Sequence, residues 1–129
     1  MSKNFDAVKF AEMFKDRVEL KKSASGQIFI TLKTQRGICH PLHSDRVKRE
    51  LRSFAKLRGE RLSESRLKDV LDELDSLAYE EGENVVSHYR FAPYANGYIY
   101  HLGENRFLQV TDGAVSNITD LPSGIYFTE

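Results

Sequence analysis

Hydrophobic and polar positions along this chain change their period three times, and each change marks a different kind of element. From Phe5 to Leu20, Phe5, Val8, Ala11, Met13 and Phe14 form a rough helical stripe, which predicts a helix over this stretch. The polar run Lys21–Gly26 breaks it. From Gln27 to Lys33 the pattern alternates, with Ile28, Ile30 and Leu32 on one side and Phe29, Thr31 and Lys33 on the other. Alternation of this kind predicts a strand with one buried face. Gln35-Arg36-Gly37 reads as a turn and Ile38–Leu42 as the returning strand.

The helical period then returns twice. Ser44 is a suitable N-cap for a helix that places Val47, Leu51, Phe54 and Ala55 on one face and Arg49, Arg52 and Lys56 on the other. Gly59 predicts a left-handed stop. Ser63 caps a second helix with the apolar stripe Leu67, Val70, Leu71, Leu74, Leu77 and Ala78, ended by Gly82. Its last turn carries Glu80 and Glu81, which oppose the helix dipole and imply a small cost or a cationic neighbour.

After Gly82 the period falls to two. Val85–Phe91, Tyr98–Leu102, Arg106–Val110 and Ala114–Ile118 read as strands, and Ile125–Phe127 as a fifth. Asn96-Gly97 and Asp112-Gly113 are hairpin turn signals, because a type I′ turn needs positive φ at both central residues. The pattern as a whole predicts an α+β fold: an N-terminal helix and β-hairpin, two central amphipathic helices, and a C-terminal antiparallel β-meander with one face under the helices.

Composition narrows the picture. A length of 129 residues fits one domain, or one with an appendage. The formal net charge is zero, so attraction to nucleic acid or membrane must come from local patches. No apolar run reaches the ~20 residues of a membrane helix, and MSKNFDAVKF lacks the apolar region of a secretory signal. The single Cys39 forms no internal disulfide, which fits a reducing cytoplasm.

Catalytic patterns are sparse. Cys39, His40 and His43 lie close in sequence, but a zinc site needs four donors, or three and a water, and only the distant His88 and His101 remain to complete one. The bland reading is a strand end with a buried thiol and exposed imidazoles. Cys39 and His40 are strand neighbours and face opposite ways, so they do not form a nucleophile–base pair. Asp69, Asp72, Glu73, Asp75, Glu80, Glu81 and Glu83 fan around the second helix instead of converging as a two-metal site requires. Neither a phosphate-binding GxxxxGK[ST] loop nor a G-x-S-x-G elbow occurs. No catalytic residue, metal or cofactor is assigned.

The charge pattern from Ser44 to Lys68 carries more weight. Nine cations face four carboxylates there, an excess of five. Such an excess is what phosphate contacts need. The paired helices also suggest a helix-turn-helix, with Ser63, Ser65, Arg66 and Lys68 at the leading end of the second helix. The acidic remainder of that helix argues against insertion in a groove. Arg49, Arg52, Lys56, Arg58, Arg61 and Arg66 are therefore the expected nucleic-acid-binding residues, for DNA or RNA. A basic helix that docks on the acidic helix of a neighbour is the alternative. Tyr89, Phe91, Tyr94, Tyr98, Tyr100 and Phe107 crowd the meander, where aromatic rings either stack bases or reflect ordinary strand propensity.

The segments PLHSDRVKREL, LSESRLKDVLDELDSLAYEEG, YRFAPYANGYIYHL, VTDGAV and PSGIYF, in this order and spacing, resemble the region upstream of the ATPase in phage- and mobile-element-encoded primase–helicase-like ATP-binding proteins. The likeness spans roughly Gly26–Phe127. It implies a role in the replication or maintenance of mobile DNA, with an ATPase module as the protein contact; self-association is the contact expected instead from the opposed charges of the two central helices. It also implies that this chain is an excised domain or a stand-alone relative. It carries over no catalytic residue, because the ATPase motifs of such proteins lie outside the matching region.

Overall fold

A computed structural model describes residues 5–129; of the N-terminal stretch read for a secretory signal, residues 1–4 lie outside this range. The fold is α+β. Helix α1 (Ala7–Lys15) leads into β1 (Val18–Lys22), β2 (Ile28–Leu32) and β3 (Ile38–Pro41). Helices α2 (Asp45–Leu57) and α3 (Glu64–Glu81) follow. Two short strands, β4 (Glu83–Asn84) and β5 (Ser87–His88), precede the meander β6 (Phe91–Tyr94), β7 (Gly97–Gly103), β8 (Arg106–Thr111) and β9 (Ala114–Ile118), and β10 (Tyr126–Thr128) closes the chain.

The strands form two sheets. A mixed six-stranded sheet has the order β4-β1-β2-β3-β10-β5, and the meander is an antiparallel sheet of order β6-β7-β8-β9. The helices pack on the mixed sheet. Phe10, Phe14, Leu51, Phe54, Leu71 and Leu74 meet Val18, Ile28, Ile30 and Leu32 in the largest buried cluster. Phe127 pairs with Ile38, and Ile30 with His40, so these side chains share the helix-facing side of the sheet. The meander covers the β3–β10 end of that same side, through Ala92, Ile99 and Phe107 against Ile38 and Phe127. Helices and meander are thus neighbours on one sheet face, which corrects the expectation that the helices cover the meander.

Other expectations are corrected as well. The helix expected over Phe5–Leu20 stops at Lys15, and Val18–Lys22 becomes a strand antiparallel to β2. Val18 and Leu20 fit either period, and pairing with a well-defined β2 decides between them. Val8, placed on the apolar stripe, is exposed, and Phe10 takes the buried position. β2 is buried on both faces, because Phe29 and Cys39 pack against Val85 and Tyr126 on the far side. Val85–Phe91 is not one strand: β5 pairs with β10 in the mixed sheet, and only its last residue, Phe91, enters the meander as the start of β6. His40 is buried, not exposed. Its ring contacts Gln35 Oε1 at 3.1 Å and Glu129 Oε2 at 3.3 Å.

Helix ends follow the sequence closely. The Ser44 and Ser63 hydroxyls accept from the backbone N–H groups of Val47 and Arg66. Gly59 has φ +71°, and the bonds from Glu60 N to Ala55 O and from Gly59 N to Lys56 O complete a Schellman stop. The unfavourable acidic end of α3 is answered within the chain. Lys22 Nζ donates to Tyr79 O at 2.6 Å, and Lys15 pairs with Glu81. In the meander, Asp112 and Gly113 take positive φ, as a type I′ turn requires. The other hairpin is displaced by one residue: Tyr94 pairs with Gly97, so Ala95 and Asn96 are the turn. Gly97 is needed there for close approach, since a Cβ would run into the Val110 carbonyl.

Candidate nucleic-acid interface

The cationic surface is built on the face of α2 that its apolar stripe leaves outside. Burial of Val47, Leu51, Phe54 and Ala55 fixes the rotation of the helix. Arg49, Arg52 and Lys56 then stand in solvent along one line of the helix, about 10 Å from first to last at the helical rise. Arg49 Nε reaches back to Asp45 O at 3.5 Å. Arg52 pairs with Glu64 at the start of α3 at 3.4 Å, and Glu64 is almost fully exposed, so water screens this pair.

The six expected residues do not form one patch. Arg52, Lys56 and Arg61 line an open hollow of about 580 Å³ at the α2–α3 joint, together with Glu60, Leu62, Ser63 and Glu64. The two carboxylates offset part of its charge. Arg49 lies one turn before the hollow. Arg58 turns to the other side and sits 5.9 Å from the centre of the Phe54 ring. Arg66 lies over Phe5 at 5.0 Å and donates to Arg61 O at 3.1 Å, which spans the loop before α3. These two cations have a packing role in addition to their charge.

Arg17, at the turn into β1, was missed by sequence reasoning. It lies 5.0 Å from the centre of the same Phe54 ring, so it joins Arg58 beside the end of α2. The only sequence signal for it was concealed by the incorrect extension of α1. Over Ser44–Lys68, the ion pairs within the chain are Arg46–Glu50 and Arg52–Glu64 among the described residues. They consume cations and carboxylates equally, so the excess of five stands.

The acidic positions of α3 spread around the helix. Asp69, Asp72, Asp75, Glu80 and Glu81 are exposed, and no group of three or more His, Cys, Asp or Glu side chains is placed to hold a metal among the described residues. Cys39 is buried, and burial pushes its thiol pKa up despite the Thr31 hydroxyl and the Lys21 charge. His43 is exposed and stands apart from His40. His88 and His101 lie against Phe127 with their rings tilted to it, and His101 Nε2 is 2.9 Å from Glu104 O.

The most perturbed cation is structural. Lys21 is buried among Glu19, Glu83 and Tyr126. Burial opposes its charge, but the bonds to Glu19 and Glu83 outweigh that and raise its pKa above the ordinary value. A lysine held this firmly protonated is a poor base or nucleophile. Among the described residues, no helix is long and apolar enough to cross a membrane. Comparison with protein-family models, with curated proteins and with solved structures returned no match.

Proposed function

We propose that this chain is a non-catalytic accessory domain of a phage or mobile-element replication protein, and that it contacts nucleic-acid phosphate through the outer face of α2. The observation that carries the contact is the line Arg49–Arg52–Lys56, exposed along one rigid helix inside a segment with five excess positive charges. Helix-borne cations at fixed spacing neutralise successive phosphates and release counterions, and they read no bases in doing so. Arg61 extends the line into the hollow, and Arg58 and Arg66 flank it. The replication context rests on the resemblance of the Gly26–Phe127 region.

A second reading is a protein-interaction module whose basic helix meets an acidic partner. The Arg52–Glu64 pair and the two carboxylates in the hollow favour it, because they dilute the positive field that a phosphate would meet. Fluorescence anisotropy with single- and double-stranded oligonucleotides at low salt separates the two. The nucleic-acid reading expects binding to either form that weakens about tenfold or more in Arg49/Arg52/Lys56→Ala. Wild-type protein that leaves both oligonucleotides free, or binding indifferent to the triple substitution, refutes that reading.

A further inference from the structure

The meander has one face packed on β3 and β10 and one face that no other element covers among the described residues. Strand register places two rows of side chains across this outer face. Phe91, Tyr100, Leu108 and Asn117 form the first, and Pro93, Tyr98, Val110 and Val115 the second. Phe91 is 61% exposed and Val115 62%, whereas Ile99 and Phe107 on the opposite face are buried. An antiparallel sheet that stands free in water normally alternates apolar with polar residues. Here the solvent side is nearly as apolar as the packed side.

We propose that this outer face is a self-association surface, on which two copies pack sheet to sheet with β8 of one antiparallel to β8 of the other. Three features select a second copy as the occupant. The face holds Leu102, Leu108, Val110 and Val115 beside its aromatics and a single cation, Arg106. That composition suits an apolar partner better than a phosphate chain, which needs several cations along its path.

The second feature is charge complementarity. Arg106 begins β8, and Asp112 follows directly after its end, with the two apolar rows between them. A two-fold axis running across the strands, between the rows, lays each row on the other row of the partner. The same rotation sets Arg106 against the partner's Asp112, twice over. Arg106 has no ion-pair partner in its own chain among the described residues. Asp112 accepts from Asn96 through one carboxylate oxygen, which leaves the other available.

The third feature is area. Four strands of four to seven residues at about 4.8 Å spacing give a face of roughly 350 Å² per copy. That is within the range of apolar patches that mark interaction sites, but below the ~800 Å² per partner of a standard interface. The association is accordingly weak and reversible, and depends on protein concentration.

Sedimentation velocity from about 5 to 500 µM brackets such an interface. Wild-type protein is expected to shift from monomer to dimer over this range. Val115→Asp, Arg106→Glu and Asp112→Lys are each expected to weaken the dimer about tenfold or more. An equimolar mixture of Arg106→Glu and Asp112→Lys is expected to restore it, because the mixed dimer has two attractive pairs and each variant alone has two repulsive ones. Circular dichroism confirms that each variant is folded. Should Asp112→Lys fail to fold at its positive φ, Arg106→Glu and Val115→Asp decide alone. A wild-type monomer throughout, a dimer indifferent to Val115→Asp and Arg106→Glu, or two folded variants that do not rescue one another would overturn the proposal.

Discussion

The two units that share one face of the mixed sheet treat water in opposite ways. The helices bury a broad apolar stripe and present charge outward: Arg49, Arg52 and Lys56 on α2, and Asp69, Asp72 and Asp75 on α3. The meander buries a thin layer, Ala92, Ile99 and Phe107, and turns aromatic and aliphatic side chains outward. The helical unit is therefore complete as a packed object, and its surface communicates by charge. The meander is incomplete by the same standard, and its surface communicates by shape and apolar area. Salt weakens the first kind of contact throughout, and the second only through its Arg106–Asp112 pairs.

The largest expected effect tests where stability resides. Leu51→Ala and Leu74→Ala each remove a fully buried side chain from the helical cluster. A loss of about 2–5 kcal/mol is expected from urea denaturation. Val115→Asp on the outer face of the meander is expected to change monomer stability by less than about 0.5 kcal/mol. A large loss from Val115→Asp would mean that the outer face belongs to the folded core, and the contrast would collapse. Next in size is Gly97→Ala. Its new Cβ meets the Val110 backbone across β7 and β8, so a loss of roughly 1–3 kcal/mol is expected. A neutral result would show that the strands part there easily.

The helical caps and stripes were legible in the sequence because they are local. Ser44, Ser63 and Gly59 act within one turn of where they stand, and Val47–Ala55 and Leu67–Ala78 declare a 3.6-residue period without reference to anything distant. The layer arrangement was not legible. Whether Val18–Lys22 continues a helix or pairs with β2, and whether Phe29 faces water or Tyr126, depends on residues far along the chain. The parallel pairing of β10 with β3 and β5, which seats the meander, is of this kind. For the candidate site, the exposed line on α2 followed directly from the helical stripe. Arg17 beside Phe54, the Glu64 partner of Arg52 and the packing roles of Arg58 and Arg66 required the tertiary structure.

A smaller effect concerns pH at the joint between the two units. Burial lowers the pKa of His40 below the ordinary histidine value, with the Glu129 charge opposing. The unfolded chain therefore takes up the proton first as pH falls below about 6.5, and the folded state loses stability through that window. Above it the ring is neutral in both states and the contribution is complete. Urea titrations between pH 7.5 and 5.5 are expected to show the decline in wild-type protein and a shallower one in His40→Gln. Equal slopes would place the pH dependence elsewhere.

Whether the α2 face meets phosphate is decided by the salt dependence of oligonucleotide affinity. Each phosphate contact contributes about 0.7 to 0.9 to the slope of log affinity against log salt. A steep negative slope is expected for wild-type protein, and a slope flatter by roughly 2 to 3 for Arg49/Arg52/Lys56→Ala. Identical slopes for the two proteins, or an affinity insensitive to salt, would contradict that expectation.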